Sequence, residues 1–465
     1  MIGSEPGGDP GALTERASRL KAEGRQAEAL VLYEQVARLL PRHPVPEHNI
    51  AAALADLQRF AAAEAATRRA FQKGSRAPET WLIHARALQG QDKLDEAEAA
   101  FREAARLRPG FVEAQKGLAE LVWIRSEDLA AALAALAGPN TPPLVLARAA
   151  MLSNAGDETG AFAALAAAVQ ARPADPQLLL ALSAQAMKAG RVADAAAAAE
   201  RAQALAPKDP RAEAARCEAY LALGWAEQAS AAAGRLLAQA PGDQGVLALQ
   251  ATCWRLLGDP RYRELYDYAA YVKTYAIDPP QGWPSREAYL ADLGAALGGL
   301  HSTRAHPLGQ SLRGGSQTTQ NLLAALHPAV KAFPAAVDGP IRAYLAALGP
   351  GHDPLRARNR GGYRMVGAWS VRLRPGGFHL DHVHPQGWIA SALYVSVPKS
   401  LAAESHEGWI RFGQPGPRTA PPLPAEYFVA PEAGKLVLFP AYMWHGVEPF
   451  GGAETRLTVA FDLVP

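Results

Sequence analysis

Gly376–Val397 reads GGFHLDHVHPQGWIASALYVSV, three histidines within six residues followed by an apolar, β-rich run. A second stretch, Gly434–Val447 (GKLVLFPAYMWHGV), ends another β-like run on His445, and a third, RLTVAFDL, begins at Arg456. Imidazoles at the ends of strands far apart in sequence suit a β-barrel or jelly roll whose mouth gathers a metal ion. Strands separated by turn residues are expected at about 363–374, 378–383, 388–397, 408–412, 426–429, 435–439 and 455–463. Such spacing favours a closed or two-sheet all-β unit.

His382 and His384 are two apart, so on a regular strand both point to one face, and His445 supplies a third imidazole from a neighbouring strand. Most histidines are simply hydrogen-bonded core or surface residues. That reading weakens here because four of the twelve histidines fall at these two strand ends. His306, His352 and His406 lack such company and read as structural or surface residues. A competing pair, His379 and Asp381, lies on the opposite face of a regular strand and offers the two-His-one-carboxylate set that suits non-haem Fe(II). Periodicity does not choose between the pairs, and a bulge at Gly376-Gly377 would change the face partway along. Arg456 and Thr458 share a strand face, and the alternative for Arg456 is a solvent-facing edge position.

The first half of the chain repeats itself. Ala29, Ala63 and Ala97 lie 34 residues apart, as do Val36, Ala70 and Ala104. After a shortened fourth unit (roughly 110–141) ending in Gly138-Pro139-Asn140, where a bend or register break is expected, the period resumes. Gly156, Gly190, Gly224 and Gly258 fall in register, as do Ala161, Ala195 and Ala229, and Pro173, Pro207 and Pro241. Small residues let two antiparallel helices approach closely, Gly relieves the turn between them, and Pro stops the second helix. Neighbouring pairs then stack into a superhelix with a concave face. The pattern resembles the tetratricopeptide repeat, with Trp81, Ala85, Leu88, Ala97, Phe101, Ala104 and Pro109 as its clearest copy. Arrays of that kind bind peptide segments or partner proteins. The alternative is a spacer or a dimerisation surface that would make a homodimer.

These features set an α + β multidomain architecture. A repeat array with a capping helix is expected over 11–277, with RYRELYDYAAYVKTYAI as the cap, and residues 1–10 are expected to fray. A helical preface follows over 278–361, with helices at about 285–300, 319–332 and 338–348. The β unit occupies 362–465. Within the preface, HPLGQSLRGGSQT (306–318) reads as a surface loop. Alternatively, Arg313 with Gly314 and Gly315 offers a cation and free N–H groups to an acidic substrate. The 465 residues carry a formal net charge of only +2, with bases and acids interspersed, so no attraction to nucleic acid or membrane follows. Two cysteines in helical pattern, no signal-like N-terminus and no apolar run of spanning length point to a reducing, cytoplasmic setting.

Three runs taken together, H-x-H-P-x-G-W-I-A-S-A-L-Y-V, G-x-L-V-L-F-P-x-x-x-W-H-G-V and E-x-R-L-T-V-A-F-D, resemble a bacterial family of 2-oxoglutarate/Fe(II)-dependent oxygenases. HPLGQSLRGGSQT and GAWSVRL also resemble parts of that family, so the likeness covers about 300–465. The resemblance implies a double-stranded β-helix (jelly roll), with Fe(II), 2-oxoglutarate and O2 as cofactor and cosubstrates. It puts His382, His384 and His445 at the metal, and Arg456 with Thr458 at the far carboxylate of 2-oxoglutarate. The implied reaction is hydroxylation of a C–H bond, on a peptide or protein presented by the repeats. His384 departs from the Asp or Glu of the wider superfamily. Three-histidine faces also occur in cupin dioxygenases and isomerases acting on small molecules, and Gly376-x5-His382-x-His384 and Gly434-x5-Pro440-x4-His445 resemble the two cupin motifs without the expected Glu. A non-catalytic repeat adaptor is the third reading. Trp388, Trp444 and Phe439 are expected either to line the site or to be plain core.

Overall fold

The computed structural model describes residues 8–401 and 405–465. Residues 1–7 of the segment expected to fray lie outside this range, whereas Asp9 caps a first helix beginning at Pro10. The chain divides into two compact units, one holding the chain up to Trp123 together with Glu127–Leu144, the other Ile124–Ser126 and Val145–Pro465.

In the first unit the helices run in antiparallel pairs such as Gln26–Leu39 with Pro44–Asp56 and Pro78–Gln89 with Leu94–Leu107. The period is visible in the packing, since Ala29, Ala63 and Ala97 are all fully buried. It also shows in the turns: Gly24, Gln58 and Asp92, again 34 apart, take left-handed backbone, so non-glycine residues occupy two of those three positions. The break foreseen in unit four falls where Val112–Ser126 gives way to the short helix Leu129–Ala135.

The second unit resumes the repeat in more regular form. Gly156, Gly190, Gly224 and Gly258 all carry positive φ between paired helices, where a side chain would be strained. Asp175, Asp209 and Asp243 cap successive helices through the amides of Gln177, Arg211 and Val246, a second 34-residue signature that supplies the stop-and-start of each pair. The expected capping helix is different in kind. Arg261–Leu265 and Tyr268–Tyr271 are short helices, and the chain then becomes a strand, because Lys273–Ala276 pairs in antiparallel register with Lys435–Leu438.

Among the described residues, nine antiparallel strands form one curled sheet: β1 (Lys273–Ala276), β2 (Leu312–Gln317), β3 (Arg364–His382), β4 (Ile389–Ser396), β5 (Ile410–Phe412), β6 (Tyr427–Val429), β7 (Lys435–Pro440), β8 (His445–Val447) and β9 (Arg456–Val464). Their order is β1-β7-β4-β9-β3-β8-β5-β6, with β2 added on β3. The two strands expected at 363–374 and 378–383 are one long strand. The stretch read as a surface loop contains β2. Its glycines permit this: a Cβ on Gly315 would stand 2.4 Å from the Arg372 carbonyl oxygen, and one on Gly377 would stand 2.7 Å from that of Gly314. Backbones approach there to a distance that no side chain tolerates.

Of the three helices expected in the preface, Arg286–Leu300 and Phe333–Leu348 form, and the middle one shrinks to the turns Leu322–Ala324 and Pro328–Lys331. Both full helices pack apolar faces on the sheet, Tyr289, Leu293 and Tyr344 being fully buried. The last repeats share the same core, which runs from Cys217 and Leu247 through Tyr262 and Tyr266 to Phe461. Trp444 Nε1 donates to Thr252 Oγ1 (3.0 Å), and Tyr266 and Tyr442 each donate to a backbone carbonyl of the other's segment (2.9 and 3.0 Å). The segment 413–426 lies against these repeats: Ala420 N donates to Leu221 O, and Arg255 donates to Gly413 O and Pro424 O.

Two expectations follow. Gly315→Ala should destabilise the chain by more than about 2 kcal/mol, read by thermal unfolding, because backbone atoms must yield, whereas Gly362→Ala, with nothing within 4 Å of its Cβ, should be near neutral. His301 is buried between β2 and β3, with Nδ1 2.9 Å from Ser316 Oγ and Nε2 3.0 Å from Ser370 Oγ. Burial, then the Arg372 charge, push its pKa down to about 4. An unfolded histidine takes up its proton near pH 6.5, so this contribution is intact above about pH 6.5 and is lost as pH falls towards 4. The decline of Tm across that window should be shallower in His301→Asn than in the parent chain. Equal slopes would contradict it.

Candidate metal and cosubstrate site

β3 carries most of the site because it changes phase partway. From Gly367 to Leu373 it pairs residue for residue with β9, Leu373 facing Arg456. Its pairing with β2 then jumps from Gly315↔Leu373 to Arg313↔Phe378, which leaves a bulge around Gly376, itself at positive φ. A second shift, between His379↔Val447 and His382↔His445, sets His382 directly opposite His445 of β8. His384 lies just past the strand end, where its amide donates to Ala441 O (2.9 Å).

The result is convergence. Ring centroids are 4.2 Å apart for His382–His445, 5.3 Å for His382–His384 and 5.2 Å for His384–His445. One ligand atom from each lies within 4.8 Å of the other two. Two rings are oriented through Nδ1, His382 on Leu380 O at 2.8 Å and His445 on Met443 O at 2.9 Å, while His384 Nδ1 lies 2.7 Å from Asp462 Oδ1. Since a carbonyl only accepts, Nδ1 carries the proton in the first two and Nε2 keeps its lone pair, the arrangement that orients metal-binding imidazoles. Burial, then mutual repulsion among the rings, holds His445 and His379 well below the ordinary histidine range, and burial with the His384 charge lowers His382 to about 3. His382 and His445 are therefore neutral at physiological pH.

The competing pair is placed otherwise. Asp381 receives Arg411 on both oxygens (2.9 and 2.7 Å) and Gln414 Nε2 on Oδ2 (2.9 Å), while Arg411 also pairs with Glu448 at 2.8 Å. Burial raises its pKa against the opposing pull of Arg411, and both oxygens are already committed. His379 bonds Ser311 Oγ through Nδ1 at 3.0 Å, and its ring stands 6.0 Å from that of His382. The carboxylate absent from the imidazole set reappears one contact out, as Asp462 on His384.

Arg456 is the other singular feature. It is 2 % exposed and stacks over the Tyr394 ring at 4.8 Å, and neither its Nε nor the Tyr394 hydroxyl has a hydrogen-bond partner among the described residues. An unpaired buried guanidinium is costly unless an anion joins it. Thr458, two residues on, is buried beside it and donates weakly to Val371 O at 3.5 Å.

The three imidazoles, Arg456, Thr458 and Arg313 line one cavity of about 820 Å³. Phe439 lines it too, its ring 4.6 Å from that of His445. Trp388 and Trp444 do not: the first is core, bonded to Leu355 O, and the second turns toward the repeats. Sequence reasoning did not find Asp462, Arg411 or Ser311, although Asp462 sits within the quoted E-x-R-L-T-V-A-F-D run. It also did not place the repeat helices Pro142–Asn154 and Pro176–Lys188 at the site, where Leu146, Asn154, Gln185 and Lys188 form the facing wall.

If this arrangement holds a metal, anaerobic Fe(II) binding should weaken by at least about a hundredfold in His384→Ala and change little in Asp381→Asn. The reverse order would assign the site to Asp381.

Residues 367–462 match a family model described as "Putative 2OG-Fe(II) oxygenase". No curated protein matches the chain. Among solved structures, a tetratricopeptide repeat protein from Parabacteroides merdae is 13% identical over 52% of this chain and 98% of that one, with a TM-score of 0.39. A thermophilic repeat protein of the same type from Thermus thermophilus is 20% identical over 46% of this chain and 100% of its own, with a TM-score of 0.29. The C-terminal part of another from Cytophaga hutchinsonii is 14% identical over 51% and 98%, with a TM-score of 0.36. The chain is thus a helical array with a 34-residue period, followed by a C-terminal segment, residues 367–462, that matches the 2OG-Fe(II) oxygenase model.

Proposed function

We propose that this protein is a 2-oxoglutarate- and Fe(II)-dependent hydroxylase acting on a C–H bond of a peptide or protein substrate. The observation that carries the reading is a buried, unpaired Arg456 opening on the same cavity as three converging imidazoles. In this reading His382, His384 and His445 hold the metal through Nε2. When bound, Fe(II) supplies the oxygen-activating centre at which 2-oxoglutarate and O2 are converted to succinate and CO2 as the substrate is hydroxylated.

The remaining work belongs to the chain. The Arg456 fork takes the far carboxylate of 2-oxoglutarate with two parallel hydrogen bonds, and the Thr458 and Tyr394 hydroxyls stand beside it as further donors. Phe439 against His445 keeps water from that side of the metal position. Asp462 fixes the His384 ring and returns negative charge to a ligand set that has none of its own. The wall from the repeat helices supports presentation of a substrate by the array. The expected cytoplasmic location belongs to this proposal, supported by two cysteines that are buried and unpaired.

Oxygen-dependent succinate formation tests the reading. Arg456→Ala should reduce it by about a hundredfold or more, the loss expected when one partner of a buried charge pair is removed, while iron content stays near that of the parent. Full turnover in Arg456→Ala would favour the cupin-type reading, and a parent chain that holds no iron would leave a repeat adaptor.

A further inference from the structure

The cavity has two chemically different ends. One carries the imidazoles and Arg456. The other is built by the repeat helices Pro142–Asn154 and Pro176–Lys188 with β2, and it is rich in donors. Lys188 Nζ donates to Ser153 Oγ (3.1 Å) and to no carboxylate. Arg313 uses Nη1 on the carbonyls of Gln310 and Leu312 (2.7 and 2.8 Å) and likewise has no ion-pair partner among the described residues. Burial lowers its pKa against the opposing field of Glu158. Glu158 is the carboxylate closest in effect, and its Oε2 is already taken by Ser153 Oγ and Gln185 Nε2. Two cations therefore face one committed anion. Asn154, which also lines the cavity, is only 7 % exposed, and its Nδ2 has no hydrogen-bond partner among the described residues. A buried amide donor left empty beside surplus positive charge is a site awaiting an acceptor. Leu146, Leu165 and Ala149 add apolar surface to the same cavity.

We propose that this repeat-built wall recognises a carboxylate on the substrate, held by Lys188, Arg313 and the Asn154 amide. The carboxylate stands apart from the C–H bond that reacts. The assignment of the reacting end rests on the oxygenase reading; the preference for an anion rests on the wall alone. A carboxylate of this kind comes either from an acidic residue in a peptide or from a free small acid.

The test is binding to the full chain, anaerobically and with 2-oxoglutarate present, so that nothing turns over. The probes are two N-acetylated, C-amidated heptapeptide pools that differ only in Glu or Gln at the centre, together with N-acetylglutamate and N-acetylglutamine as their free α-methylamides, so that only the side-chain carboxylate differs within each pair. The acidic member of a pair should bind about tenfold tighter, the worth of one charge-assisted hydrogen bond. That advantage should shrink towards unity in Lys188→Gln and in Arg313→Gln, with the amide member unchanged. An advantage confined to N-acetylglutamate assigns the carboxylate to a small acid, and one confined to the pool assigns it to a peptide. Equal binding within both pairs, or an advantage that survives both substitutions, overturns the proposal. The two readings fail separately: a chain that prefers the acid but forms no succinate loses the oxygenase reading alone, and one that forms succinate without the preference loses only this inference.

Discussion

A guanidinium keeps its charge at any physiological pH, so Arg456, sealed against Tyr394 with 2 % of its surface exposed, needs an anion to complete it. Everything around it is arranged to keep that requirement unmet by the protein. Thr458 shares its face of β9, Leu373 of β3 stands opposite, and the nearby carboxylates are engaged elsewhere, Asp381 with Arg411 and Asp462 with His384. A stability argument alone would not retain such a residue, because an unpaired buried charge costs several kcal/mol, roughly speaking. Its persistence points to a ligand.

The imidazoles depend on a different constraint, the phase of one strand. Had β3 remained regular, His382 and His384 would lie on one face and His379 and Asp381 on the other. The bulge at Gly376 and the second shift before His382 break that alternation, so His379 and His382, three apart, bring their rings to 6.0 Å. The bulge in turn needs Gly314 and Gly377, whose backbones touch where any Cβ would collide. The imidazole trio, Arg456 and the glycine pairs of RGG and PGG are thus parts of one local geometry.

Much of this was legible beforehand, and the reasons differ by element. The repeats could be read because alanine, glycine and proline each solve a packing problem that recurs every 34 residues. The histidine trio and Arg456 could be read because their types are rare in β-rich runs and fall at strand ends. β1 and β2 were hidden: KTYA continues a helical pattern, and LRGGSQ has the composition of a loop, so only pairing with a neighbour makes either a strand. The choice between Asp381 and His384 was hidden for the same reason, since it turns on Arg411 and Gln414, thirty or more residues away. The wall from Asn154, Gln185 and Lys188 could not be found at all by local pattern, because the cavity they line is closed by β-segments more than a hundred residues further along the chain.

The most direct test is a crystal structure of the full chain with a divalent ion and 2-oxoglutarate, grown without oxygen. The account predicts the ion on Nε2 of His382, His384 and His445, and the far carboxylate on the Arg456 guanidinium. An ion bound by Asp381, or a carboxylate resting on Lys188 and Arg313 with Arg456 still unpaired, would contradict it.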